Sequence, residues 1–392
     1  MSTEAGGTRQ VDDREQALDL QRASLDFLLA PVGAFLEDAS VSEIMINGAG
    51  DVRVEREGKI ARTDARFGSE EQLLAAVRNI AQYVGKRIMP DTARFDARLP
   101  DGSRVHVVLP PASRQGICVA IRKFQKSRMT FESFVRMGSL TEEAREFIEL
   151  CVLVEKNVIV SGGTGTGKTS LLNIMAALIP PDQRIIVLED TSELALRGQD
   201  HVLYFETKPP DRQGRGAVSI RDLFHSSLRM RPDRIVVGEC RAGEAIDLIQ
   251  AMTSGHGGSM TTLHANAPAD ALNRLETMAL MSGIEMPLVA LRSQVASAID
   301  VIVQLGRLPD GSRRVFEIAE VHGLTDRGGY DVRSIYAFAF QGKAPDGRVI
   351  GHLERTGHRP TFWAEVNQKG YGNRVRLTGS LWEPEPGSVA AT

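Results

Sequence analysis

The residues best suited to chemistry form one run: Gly162, Gly163, Thr164, Gly165, Thr166, Gly167, Lys168 and Thr169, with Ser170 next. The run fits G-x-x-x-x-G-K-[ST] in full. Its glycines let backbone N–H groups turn inward onto phosphate oxygens. Lys168 supplies a mobile positive charge for the β- and γ-phosphates, and Thr169 offers a hydroxyl to Mg²⁺. The run therefore predicts a site for ATP and Mg²⁺ built from Gly163, Thr164, Gly165, Thr166, Gly167, Lys168, Thr169 and Ser170.

Three further stretches carry candidate groups. Arg184–Asp190 (RIIVLED) reads as a strand ending in Glu189 and Asp190, with Glu193 beyond. Carboxylates at the end of a parallel strand sit beside a phosphate loop, where one of them can position water or contact Mg²⁺ through water; a solvated acidic loop is the equal alternative. Arg234–Glu239 (RIVVGE) is an apolar strand that ends in one acid. Glu239 is the candidate to polarise the attacking water, with a plain strand-end charge as the weaker alternative. Thr253–His264 (TSGHGGSMTTLH) places His256 and His264 in an uncharged loop and strand, where hydrogen-bonding groups can sense the γ-phosphate; a satisfied structural histidine is the alternative for each. His225 reads as structural. Arg104 and Arg122 on early strands, and Arg215, Arg221, Arg229 and Arg231 before RIVVGE, are the guanidinium forks that match phosphate oxygens.

The elements that must position these groups follow from local pattern. Asn157–Ser161 reads as a strand entering the glycine run, and Lys168–Leu178 as the helix leaving it. Strands at Arg184–Leu188, Arg234–Gly238 and Ser259–Leu263 alternate with helices at Ile220–Met230, Glu244–Thr253 and Ala269–Ala279. Such alternation predicts an α/β domain whose sheet is mainly parallel, with helices on both faces. Val301–Leu305 and Val315–Glu320 read as a hairpin at the sheet edge. Earlier in the chain, Leu25–Leu36 is helical with Pro31 interrupting. Val41–Asn47, Asp51–Glu55, Arg104–Leu109 and Ile117–Phe124 are strands, and Ser69–Val84 is a helix with Ser69 and Gln72 as its capping box. Residues 1–24 then form a flexible leader and 25–125 a smaller α+β domain. Residues 126–140 are an irregular linker, 141–325 the nucleotide domain, 326–372 a C-terminal extension and 373–392 a flexible tail.

Composition narrows the function. Among 392 residues, 47 Lys+Arg against 50 Asp+Glu give a net charge of −3, which does not suit a globally basic nucleic-acid binder. The basic run Arg122, Lys123, Lys126 and Arg128 has only Phe124 as an aromatic companion, so no stacking surface accompanies it. Cys118, Cys151 and Cys240 are too few and too scattered for a disulfide framework or a zinc site, and read as small buried hydrophobes. No signal peptide is apparent. The longest stretch without charge, Leu248–Ala269, is full of Gly, Ser, Thr, His and Asn and is no membrane span. The expected location is cytoplasmic.

In this order, GGTGTGKT, VLEDTSEL, RPDRIVVGE and TSGHGGSMTTLHA resemble the Walker A, Asp, atypical Walker B and His boxes of the type II/IV secretion-system ATPase family. The resemblance covers about residues 35–325. It implies a RecA-like P-loop domain with a smaller N-terminal domain, in a ring hexamer. Lys168 and Thr169 would bind phosphate and Mg²⁺, Glu189 and Glu239 would serve metal or water, and His264, more than His256, would sense phosphate. EIMINGAGDVRVEREGKI, DARLPDGSRVHVVLPP and VAIRKF look like the tight-adherence (Flp) pilus assembly branch, also called CpaF-type. Two arginines of that region reach the γ-phosphate in related enzymes, and Arg104 and Arg122 match their places. His106 and Ala120 stand where Asn and Ser are expected.

The resemblance further implies the inner face of the bacterial inner membrane, reached through platform proteins of a pilus or secretion system. The N-terminal domain would swing as ATP binds and leaves. The competing functions are a nucleic-acid translocating RecA-type ATPase, a nucleotide switch that hydrolyses poorly, and, within the family, a retraction or conjugation-type motor.

Overall fold

The computed structural model describes residues 23–56, 58–89, 91–123, 129–210 and 213–383. The leader as far as residue 22, residues 124–128 of the basic run and the end beyond 383 lie outside them. The chain divides into two compact units, residues 1–126 and 127–392.

The first unit is a six-stranded sheet with helices against one face. Its strands are β1 (Val41–Asn47), β2 (Val52–Arg56), β3 (Lys59–Arg62), β4 (Arg94–Arg98), β5 (Arg104–Val108) and β6 (Cys118–Arg122), in the order β3-β2-β1-β6-β5-β4. Its helices are α1 (Ala30–Glu37) and α2 (Glu70–Tyr83). Alternate residues such as Ile44, Ile46, Val105, Val107, Val119 and Ile121 meet Leu73, Val77 and Ile80 of α2 in one core. The N-terminus of α2 holds half of the expected capping box. The Ser69 hydroxyl accepts from the Gln72 N–H, but the Gln72 amide oxygen accepts from Gly68 instead. The sequence reading omits β3, exposed along its whole length, and β4, whose run RFDAR is dominated by charge.

The second unit holds a nine-stranded sheet. Its strands are β7 (Val158–Gly162), β8 (Ile185–Glu189), β9 (Val202–Glu206), β10 (Arg234–Val237), β11 (Met260–Leu263), β12 (Val301–Arg307), β13 (Arg313–Leu324), β14 (Tyr330–Lys343) and β15 (Val349–Arg355). The order is β15-β14-β13-β12-β7-β11-β10-β8-β9. From β12 to β9 every neighbouring pair is parallel; β13, β14 and β15 add antiparallel strands. The helices are α3 (Phe131–Arg136), α4 (Glu142–Leu153), α5 (Lys168–Ala176), α6 (Ile220–Ser227), α7 (Glu244–Thr253), α8 (Pro268–Leu280), α9 (Leu288–Ala298) and α10 (Glu365–Gln368). Val158 and Val160 point into the core under α4 and α5, while Ile159 points into the core under α7 to α9. This is why the central strands are apolar throughout.

Four expectations change. The β12–β13 hairpin is interior, because β14 and β15 continue the sheet beyond it; the residues past 325 thus extend this sheet rather than append to it. The stretch read as linker contains α3, started by reciprocal Thr130–Ser133 hydrogen bonds and held by buried Phe131 and Phe134. Cys118 is half-buried rather than buried, beside the Ser113 hydroxyl at 3.2 Å. Residues 373–383, read as flexible tail, are tied down. Trp382 stacks on Phe147 of α4 at 5.5 Å. The Glu146 carboxylate accepts the N–H groups of Arg376, Leu377 and Thr378 and the Thr378 hydroxyl.

Burial alone would raise the Glu146 pKa, but those donors overcome it and hold the acid below its ordinary value. A depressed carboxylate stabilises the fold above its unfolded pKa, and that contribution is lost as pH falls through the folded one. Glu146→Ala should therefore cost about 3 kcal/mol by stranding several donors, and the variant's melting temperature should fall less steeply with acid than the wild type's. A melting temperature within a degree or so of wild type would show that the strap is not anchored there.

Candidate active site

The glycine run sits at the carboxyl end of β7, between β12 and β11. Gly162 closes the back of the loop: a Cβ there would lie 2.6 Å from the Leu305 carbonyl oxygen and 2.8 Å from Thr166 Oγ1. Gly167, at φ 99°, adopts the left-handed conformation that turns the chain into α5. The Thr166 hydroxyl donates to the Gly163 carbonyl at 2.9 Å and pins the loop. Lys168 is only 7% exposed. Its ammonium donates to the Gly163 carbonyl at 2.8 Å and faces His264 Nδ1 at 3.4 Å. Burial lowers its pKa, which Glu239 opposes. A buried cation on neutral acceptors is poised for a stronger, anionic partner. The loop, the dipole of α5 and Lys168 thus fit a polyphosphate.

The neighbouring strand ends bring the other candidates in. Glu239 follows β10, His264 follows β11, and Glu189 and Asp190 end β8. His264 Nε2 lies 3.1 Å from Glu239 Oε1. Burial first, and then the Lys168 charge, lowers the His264 pKa. That shift favours the neutral ring, in which Nδ1 can accept from Lys168 while Nε2 faces Glu239. Glu239 Oε2 accepts from Arg241 at 2.6 Å, and the other arm of Arg241 reaches Asp190 at 3.3 Å.

Glu189 is placed differently. It is 4% exposed, and its Oε1 accepts the N–H groups of Glu193 and Leu194 at 2.8 and 3.0 Å. Its stem packs on Gly238, where a Cβ would lie 2.9 Å from Glu189 Cγ. The glycine before Glu239 therefore leaves room for Glu189.

The two histidines of the His box are separated by β11. His264 stands just past its carboxyl end beside Lys168, and His256 lies in the turn before its amino end. There the His256 carbonyl accepts from the Ser259 hydroxyl. His225 and Arg221 both bind Asp247 of α7, at 2.9 and 2.8 Å, which fixes α6 on α7. Arg215, Arg229 and Arg231 are exposed. Cys151 and Cys240 are buried, and burial pushes both thiols well up. Arg241 is absent from the sequence reading, since its signal lies only in the fold.

In the first unit, Arg104 and Arg122 are direct cross-strand partners on β5 and β6, on the face opposite the core, next to Glu43 on β1. His106 and Ala120 are likewise partners, so the larger ring faces the smaller side chain. His106 also meets Asp96 at 2.7 Å.

The model of the type II/IV secretion system protein family matches residues 28–371, across both units. The chain belongs to this family. It is 32% identical over 334 residues to the type IV secretion system protein VirB11 of Brucella suis, a match spanning 78% of this chain and 92% of that one. A putative conjugal transfer protein of Mycobacterium tuberculosis is 33% identical over 284 residues, 71% of this chain and 80% of the relative. The X-ray structure of the Legionella pneumophila ATPase DotB superposes with a TM-score of 0.55 at 19% identity, over 78% of this chain and 82% of that one, a likeness of fold. The family match stops at Tyr371, so the anchored strap at 376–382 belongs to the chain beyond it. Among the described residues no helix of this secretion-family chain is long and apolar enough to cross a membrane.

Proposed function

We propose that this protein is a MgATP-hydrolysing motor that powers protein secretion or pilus assembly across the bacterial envelope. One observation carries the reading: Lys168, His264 and Glu239, from three adjacent strand ends, meet in a single line of close polar contacts at the phosphate loop. The loop N–H groups and Lys168 hold the β- and γ-phosphates, with Thr169 as the hydroxyl for the metal. Mg²⁺, bound with the nucleotide, neutralises charge developing on the phosphate oxygens. Glu239 orients the water and accepts its proton as the water oxygen attacks the γ-phosphorus. The bond from that phosphorus to the ADP oxygen breaks. His264 links the phosphate-bound Lys168 to this base.

Membership of the family supports the secretion role, and the N-terminal motifs support the tight-adherence branch. In this reading the protein works as a ring of six copies at the inner face of the inner membrane. It pushes on membrane-platform proteins and needs no nucleic acid. Arg104 and Arg122, side by side on an open sheet face, are the guanidinium pair offered to the γ-phosphate, worth more to the transition state than to binding. Arg104→Ala and Arg122→Ala should each lower kcat about 10- to 100-fold and weaken ATP binding far less. The test is the steady-state rate per subunit against protein concentration, with both variants. A rate that climbs with concentration, and collapses in the variants, supports catalysis assembled between copies. Full activity in both variants would remove the first unit from the site, and stimulation by DNA would replace secretion with nucleic-acid translocation.

A further inference from the structure

Arg241 has no role in the proposed chemistry, yet it makes the best-defined ion pairs at the site. We infer that Arg241, anchored on Asp190, is a positioning residue that aims Glu239 at the attacking water; the inference rests on the reading of Glu239 as the base.

A glutamate at a strand end has three rotatable side-chain bonds, and a base that wanders by an ångström loses much of its rate. Glu239 is held on both flanks. His264 Nε2 stands 3.1 Å from Oε1, and Arg241 donates to Oε2. The arginine is itself rooted. Its backbone N–H donates to Glu244 Oε1 at 2.6 Å, and that acid is buried at the start of α7. The Ala242 N–H donates to the same oxygen. The Arg241 side chain is 56% exposed and would swing freely on one contact. Its second arm stops this by reaching Asp190, at the end of β8 beside β10. Only a planar fork can hold two carboxylates from adjacent strands in this way; an ammonium is a single point charge. The result is one line of side chains, Asp190, Arg241, Glu239, His264 and Lys168, across the ends of β8, β10, β11 and β7.

The chemistry predicts a loss in turnover rather than in affinity, since Arg241 touches the base and not the phosphate loop. Arg241→Gln should lower kcat by about 10- to 100-fold, with binding of a fluorescent ATP analogue nearly unchanged and the melting temperature preserved. Arg241→Lys should recover part of the rate, because it can pair with one acid. Asp190→Asn should slow turnover several-fold in the wild type but add nothing in the Arg241→Gln background, since it acts through the arginine. Wild-type turnover in Arg241→Gln, a loss carried wholly by ATP affinity, or an Asp190→Asn effect that multiplies in full would each overturn the inference. Glu239→Gln is run alongside. If it retains full activity, the reading of the base fails; if it is inactive while Arg241→Gln is not, only the positioning role fails.

Discussion

Lys168→Ala should cut steady-state phosphate release at saturating MgATP by about three orders of magnitude, with the fold intact. Both halves follow from the same geometry. The Lys168 ammonium is the charge nearest the loop that cradles phosphate, and its present partners are a backbone carbonyl and a neutral imidazole. Neither repays the desolvation of a cation, and burial already lowers its pKa. Removing it therefore costs the fold little, whereas in the transition state it loses a full charge facing the γ-phosphate. Circular dichroism melts check the first half and a phosphate-release assay the second. A rate within tenfold of wild type would end the phosphate-loop assignment.

The legible part of the protein was the part in which one local pattern has one physical cause. The central strands are buried on both faces and read as unbroken apolar runs. The glycine run needs backbone conformations that few other residues adopt. Elements without that signature leave no mark in the sequence pattern. β9 pairs on one side only, so VLYFE is half-exposed and never forms a buried run. α9 buries Leu291, Val295, Ala296 and Ala298 but leaves the apolar Leu288 and Val289 exposed, which blurs its periodicity. β14 carries register shifts at both ends of its pairing, which break the alternation a strand should show. The polar residues of the tail predict flexibility, but Glu146, far away on α4, orders residues 376–378.

The site was legible residue by residue and not as a circuit. Lys168, Glu239 and His264 each stand at a strand end that the pattern marks. Their contacts depend on strand order, which no local spacing encodes: Lys168 and His264 are 96 residues apart, and Asp190 and Arg241 are 51 apart. Arg241 was invisible for this reason. An arginine four residues past the end of β10 looks solvated until the neighbouring strand end proves to be β8. The same circumstance left Glu189 and Glu239 equivalent in sequence, each being an acid at the end of an apolar strand.

Their surroundings separate them, and paired substitutions turn that into a measurement. Glu239→Gln should lower kcat about 100- to 1,000-fold, the usual worth of a positioned base, while ATP still binds. The amide keeps the shape of the side chain but cannot take the proton from water. Glu189→Gln should be far milder. The Glu189 oxygen receives two backbone N–H groups, from Glu193 and Leu194, and the carbonyl oxygen of a glutamine can receive the same two. Its cost should appear as a lower melting temperature, from a weaker hold on the loop after β8, more than in turnover. Single-turnover hydrolysis with a parallel measurement of ATP binding distinguishes the cases. If Glu189→Gln is the inactive variant and Glu239→Gln the mild one, the base lies on β8, and the line from Lys168 through His264 ends on a carboxylate that only orders the site.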